Sequence, residues 1–160
     1  MNVELAFTQL IEILQTYPTG ELDFLAGEES LEILFIQGNV AIPIAMIPNL
    51  LSKAYDSFFK NRVDDDKCCW SSVQESSLEE KCEMNSCTLL ISCFHPECYS
   101  IWNYRKFLTK SSYLNPQKEY ELTSFLLTKH ASKGRIWEYR SWLLDHFLLN
   151  EKSNAKGSLE

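Results

Sequence analysis

Glycine and proline are scarce, at five of each in 160 residues. A chain so poor in turn formers, and rich in leucine, glutamate and lysine, leans to helix and away from a turn-rich β fold. Positive charge is in the minority. Fifteen Lys and Arg against 22 Asp and Glu leave a formal charge of −7, which argues against the basic face that nucleic-acid binding needs. Long hydrophobic runs are missing too. The most continuous, VAIPIAMIP (40–48), is short for a bilayer span and is broken by two prolines. The opening MNVELAFTQLIEIL lacks a basic leader, so no secretory signal is expected, and the final GSLE is not a prenylation box. A cytoplasmic protein is the expectation. Metal-ligand spacing is also lacking: cysteines 68, 69, 82, 87, 93 and 98 contain no C-x-x-C pair, and His95, His130 and His146 are scattered. Reduced thiols and no bound metal are expected, with Cys87 and Cys93 as small apolar fillers on a helix.

What the chain does have is enough apolar material for one packed domain, 45% hydrophobic and 12% aromatic. It also has a phrase written twice. IWNYRKFL (101–108) and IWEYRSWL (136–143) register at an offset of 137 − 102 = 35. The same offset pairs Thr88 with Thr123, His95 with His130, Tyr104 with Tyr139 and Leu108 with Leu143, and keeps apolar character at Leu90/Phe125 and Ile91/Leu126. A period near 35 fits a helix pair plus two turns, stacked unit on unit.

The expected fold is all-α, an α-α superhelix of stacked helical hairpins with a small extended element near the N-terminus. In the first unit (82–114), EKCEMNSCTLLISCF is the outgoing helix, His95-Pro96 the turn and ECYSIWNYRKFLTK the return helix. In the second (115–149), Asn115 is the N-cap and Pro116 the first helical residue. ASKGR (131–135) breaks the pattern, and IWEYRSWLLDHFLL returns. Residues 1–81 read as a capping region: an amphipathic helix through Val3, Phe7, Leu10, Ile11 and Leu14, a β-hairpin or extended pair over 31–43 around Gly38-Asn39, a helix through Leu50, Leu51, Tyr55, Phe58 and Phe59, and a polar, charged surface loop or partly ordered linker over 63–81. The tail 150–160 has no apolar anchor and is expected to be disordered.

On a helix, positions i and i+3 share a face, so Trp102 neighbours Arg105, and Trp137 neighbours Arg140. Burying an indole of ~150–250 Å² contributes roughly 4–6 kcal/mol at most, enough to lock one unit onto the next. A buried, unpaired guanidinium would cost several kcal/mol, so each arginine must meet a carboxylate, helix-end carbonyls or an anion. Repetition favours an architectural partner. The first stripe is expected to run through Tyr99, Ile101 and Leu108, and the second through Ile136, Leu143 and Leu144. An apolar face around Trp142 and Phe147 is expected to be left exposed for a following hairpin.

The phrase P-x-x-Y-x-x-W-x-x-R, here Pro96, Tyr99, Trp102 and Arg105, resembles the repeat of protein prenyltransferase alpha subunits, and the similarity extends over roughly residues 82–148. That resemblance implies a crescent of helical hairpins wrapping a separate beta subunit, here of the Rab geranylgeranyltransferase type, which carries the catalytic zinc and most of the isoprenoid pocket. This chain would bind no cofactor itself. The reaction implied is transfer of a geranylgeranyl group from its diphosphate, held at the subunit interface, to an acceptor cysteine of a protein substrate. Family alpha subunits carry five or more such repeats, so the resemblance further implies a short or truncated form.

A lysine that stabilises the departing diphosphate opens an early-repeat turn in this family, with a tyrosine two residues on. One such charge at ~4 Å and an effective dielectric near 20 is worth about 4 kcal/mol, roughly three powers of ten in rate. Carried onto this chain, the tyrosine falls on Tyr99, a substrate-binding candidate, but the lysine position holds Glu97. In the second unit, Ser132 and Gly134 hold the two positions. Lys133, one residue late, is the remaining candidate for catalysis and substrate binding. Glu97 and Ser132 leave a second reading open, a non-catalytic helical-repeat adaptor for protein–protein contact.

Overall fold

The computed structural model of the chain describes residues 2–27, 32–60 and 76–149. In them run α1 (Val3–Gln15), β1 (Leu22–Leu25), β2 (Leu34–Ile36), β3 (Asn39–Pro43), a 3-10 turn (Ile44–Met46), α2 (Ile47–Lys60), α3 (Leu78–Phe94), α4 (Tyr99–Lys110), α5 (Pro116–His130) and α6 (Gly134–Leu143), which continues as a π turn over Leu144–Leu148. The all-helical body and its small extended element are as the sequence led one to expect.

Helix starts follow from local chemistry. Asn2 accepts from the Glu4 amide at 3.0 Å, and Asn115 from the Lys118 amide at 3.1 Å with Pro116 behind it. Ser77 and Glu80 form a reciprocal capping box, each bond 3.1 Å. The return helices differ: their N-caps, Cys98 and Lys133, make no side-chain capping bond. These two residues are 35 apart, so the local backbone repeats with the sequence.

The three strands form one sheet in the order β1-β3-β2. β2 and β3 make the expected hairpin, but its turn sits on Gln37 and Gly38, both at positive φ (52° and 82°), one residue earlier than Gly38-Asn39. β1 was not expected. It joins β3 in parallel, Leu22 opposite Val40, and Gly20 permits the approach. A Cβ there would lie 2.6 Å from the Gly38 carbonyl oxygen, so no other residue fits without moving the backbone. The sheet is held to the helices by the Leu22 amide donating to Thr128 Oγ1 at 2.9 Å and by Phe24, which lies between Phe94 and His130.

The core is continuous from α1 to α6. Leu10 and Leu14 of α1, and Leu50, Ala54 and Phe58 of α2, pack on α3. α3 is buried without a break from Cys87 to Cys93 because α1 and α2 cover one side and α4 the other. Cys87 and Cys93 are fillers in that interior, and burial pushes their thiols up to about 11 and about 12. Two boundaries and one expected exposure differ from the sequence reading. Leu78–Lys81 are helix and not loop, because the capping box starts α3 there. α6 begins at Gly134, two residues before Ile136. Trp142 and Phe147 are half-buried, since Trp142 stacks on Tyr139 at 5.8 Å and Phe147 edges onto Trp142 at 5.5 Å. The expected loop over 63–75 and the tail over 150–160 lie outside the described residues.

Candidate functional site

The repeated tryptophans and arginines make the same bonds in both units. Trp102 Nε1–H donates to the Pro96 carbonyl at 2.6 Å, and Trp137 Nε1–H to the Ala131 carbonyl at 2.9 Å, each six residues back. Arg105 Nη1 donates to Thr88 Oγ1 at 2.9 Å and to the Asn85 carbonyl at 3.5 Å. Arg140 Nη1 donates to Thr123 Oγ1 at 2.8 Å and to the Tyr120 carbonyl at 3.3 Å. Arginine thus pins its return helix to the outgoing helix of its own unit.

Between units the contacts have a direction. The tyrosine two residues after each tryptophan faces backward: Tyr104 meets Phe58 of α2 edge-on at 6.1 Å, and Tyr139 meets Trp102 at 5.0 Å. Each tryptophan faces forward. Trp102 is 3% exposed because Tyr139 covers it, whereas Trp137 is 51% exposed. Trp137 therefore does not dock the two units together, contrary to the sequence reading; its place is the forward face of the second. Tyr99, expected in the first stripe, is 57% exposed and also lies outside the core.

Arg105 continues forward to a carboxylate. Its Nε and Nη2 donate to Glu119 Oε2 and Oε1 at 2.9 and 2.6 Å, and Tyr139 donates its hydroxyl to the same Oε2 at 2.9 Å. Burial pulls the guanidinium pKa down, but the Glu119 carboxylate outweighs it and the net direction is up. Burial, and then Glu119, push the Tyr139 hydroxyl well above its ordinary range. This network joins the first helix pair to the second.

The turn edge is a different environment. Glu97, Tyr99, Ser132 and Lys133 are all exposed there. The sequence reading left Lys133 as the candidate cation of the second unit's own turn. The cation that reaches Tyr99 is Arg135, whose guanidinium carbon lies 5.0 Å from the ring centroid while Nη1 bonds Glu138 at 2.9 Å. Sequence reasoning missed Arg135; the Lys-Gly-Arg triplet at 133–135 was its one signal. Lys133 lies at the N-cap of α6 and contributes positive potential to the same edge, lowering the His130 pKa after burial has done so. Close by, the Tyr55 hydroxyl and His95 Nδ1 lie 2.5 Å apart, and burial, with Cys98 adding to it, pushes Tyr55 up to about 12. Among the described residues no three His, Cys, Asp or Glu are grouped to hold a metal. Nor is any described helix long and apolar enough to cross a membrane.

Helix pairs related by a 35-residue shift, pinned internally by arginine and joined through Trp–Tyr and Arg–Glu contacts, define an α-α repeat architecture. Residues 81–112, which comprise most of α3 and all of α4, match the sequence model of the protein prenyltransferase alpha subunit repeat. The chain is also similar to protein prenyltransferase alpha subunit repeat-containing protein 1-B of Xenopus laevis, 39% identical over 59 residues, covering 37% of this chain and 13% of that protein. Its human counterpart, protein prenyltransferase alpha subunit repeat-containing protein 1, is 36% identical over 63 residues, 39% of this chain and 15% of that protein. The zebrafish protein of the same name is 37% identical over 57 residues, 36% of this chain and 13% of that protein. The similarity thus spans about a seventh of the relatives' own length.

Proposed function

We propose that the chain acts as an alpha-like subunit of a protein geranylgeranyltransferase, pairing in the cytoplasm with a beta subunit of the Rab geranylgeranyltransferase type. The observation that carries this reading is the prenyltransferase-repeat match at 81–112, whose tryptophan and arginine make bonds that the second unit repeats. The partner would supply zinc for the acceptor thiolate and most of the isoprenoid pocket. In the reaction the cysteine sulfur forms a bond to C1 of the isoprenoid, the C1–oxygen bond breaks, and diphosphate leaves with the bonding electrons.

This chain's contribution lies at the turn edge. Lys133 and Arg135 offer two cations to the negative charge that grows on the leaving group, and Tyr99 holds the Arg135 guanidinium over its ring. The decisive experiment is co-expression with the beta subunit, followed by a geranylgeranyl-transfer assay on the purified pair. A stable pair whose activity falls with Lys133→Ala and Arg135→Ala supports the reading. The adaptor reading is favoured by the exposed Glu97 and Ser132 at the positions where a diphosphate-binding lysine belongs. It stands if no beta subunit binds.

A further inference from the structure

The N-terminal region reaches past the first helix pair. In stacked repeats a unit ordinarily touches only its neighbours, and α1 and α2 cover the first pair at α3. Residues 17–24 nevertheless run along α5 of the second. Near the start of α5, Lys118 Nζ lies 5.7 Å from the ring centre of Tyr17, whose left-handed backbone (φ 54°) a tyrosine keeps only where packing holds it. Further along, Thr128 takes the Leu22 amide at 2.9 Å, and Lys129 Nζ donates to Asp23 Oδ1 at 2.7 Å. The segment grips α5 at both ends.

Its tip falls between two helix ends. Phe94 closes α3 and His130 closes α5, and each leads to one side of the turn edge: Glu97 and Tyr99 after α3, Lys133 and Arg135 after α5. The Phe24 ring lies 5.8 Å from the Phe94 ring and 6.0 Å from that of His130, with Lys129 Nζ 5.0 Å from its own centre. β1 fixes it there, because Phe24 is paired with Ile42 of β3, a fully buried residue. The His130 bond to the Cys93 carbonyl draws the same two ends together at 2.7 Å, and the phenyl ring limits how far they close. Arg135 and Tyr99 stand on opposite sides of this junction, joined by one solvent-facing cation–π contact that is too weak to set their spacing alone. Groups that meet one ligand need that spacing held to about 0.5 Å. We infer that Asp23 and Phe24 are positioning residues: together they wedge the ends of α3 and α5 at a fixed separation and so keep the Arg135 guanidinium over Tyr99. That placement holds whichever ligand the edge meets.

The test is NMR on the full chain, isotope-labelled at arginine. In the native chain the Arg135 side-chain protons should be shifted upfield by the Tyr99 ring current, and Tyr99→Ala marks the unshifted position. Phe24→Ala should carry the Arg135 signals most of the way to that position and Asp23→Ala a smaller part of it. Phe24→Tyr, which keeps the ring, should leave them native. The Arg105 Nε–H signal, buried against Glu119, should stay unchanged throughout, because it reports the packing of the two helix pairs and not the spacing of their turns. Native Arg135 signals in Phe24→Ala would overturn the proposal, since the His130–Cys93 bond would then suffice. An Arg105 signal that moves with them would overturn it too, by making Phe24 a general prop of the interface. Should Phe24→Ala fail to fold, Asp23→Ala and Lys129→Ala, both at exposed positions, decide the matter on the same two signals.

Discussion

Arg105 and Glu119 meet fork to fork at 2.9 and 2.6 Å with both side chains fully buried, although they belong to different helix pairs. Asn85 Oδ1 and Thr88 accept from Arg105 Nη1, and Tyr139 donates to Glu119 Oε2. Removing one member strands the other charge, so Arg105→Leu and Glu119→Leu should each cost about 3–5 kcal/mol. The double variant should cost much less than the sum, because both charges leave together. Arg140→Leu should cost only about 1 kcal/mol, since water reaches that guanidinium. Urea denaturation of the four variants measures all of this.

The tryptophans carry the same asymmetry. Trp102→Ala opens a cavity between α4 and α6 and removes a bond to Pro96, for an expected loss of about 3–5 kcal/mol. Trp137→Ala removes a ring that is already half in solvent, and should cost about 1 kcal/mol or less. Equal losses would mean that Trp137 is covered in solution.

Much of this was legible in the sequence because it is periodic. The 35-residue shift located both helix pairs and called for a partner at each arginine, with a carboxylate, helix-end carbonyls or an anion left open. It did not name Glu119, because carboxylates dot the surface of every helix and only the fold shows which one is buried. Nor did it foresee that Trp137 would be exposed: a repeat pattern treats equivalent positions alike, whereas burial depends on whether another unit follows. β1 escaped notice because its partner is β3, reached only through a parallel crossover, and LDFL is too short to signal a strand alone. At the turn edge, Arg135 was overlooked because it matches Ser100 in the first unit and so falls outside the repeated phrase.

His130 gives the fold a pH dependence. Burial, followed by Lys133 and Lys129, lowers its pKa from the ordinary 6.5, against a bond of 2.7 Å from Nε2 to the Cys93 carbonyl. The unfolded chain therefore binds the proton more readily than the folded one. Stability is held above pH 6.5 and should fall as the pH drops from there through the lowered folded value. Urea midpoints measured from pH 7.5 to 5 should decline more steeply for the native chain than for His130→Gln. Parallel slopes would remove His130 as the source.

The charge at the turn edge decides whether this chain can assist a departing diphosphate. Two cations, Lys133 and Arg135, share the edge with two anions: Glu138, which pairs with Arg135 at 2.9 Å, and Glu97, which occupies the position where the resemblance calls for a lysine. An exposed cation acts through solvent, so each is worth far less than the roughly 4 kcal/mol of a dry site, and on the order of tenfold in rate is the reasonable scale. In the pair with a beta subunit, Arg135→Ala and Lys133→Ala should therefore each lower kcat/KM for the isoprenoid diphosphate by about tenfold. Glu97→Lys should raise it, because it removes a repulsion and adds an attraction. Tyr99→Phe keeps the ring under Arg135 and should change little, whereas Tyr99→Ala should behave like Arg135→Ala. A flat response across this series, with the pair still assembled, would mean that the edge faces away from the diphosphate and that the chain serves only to hold its partners together.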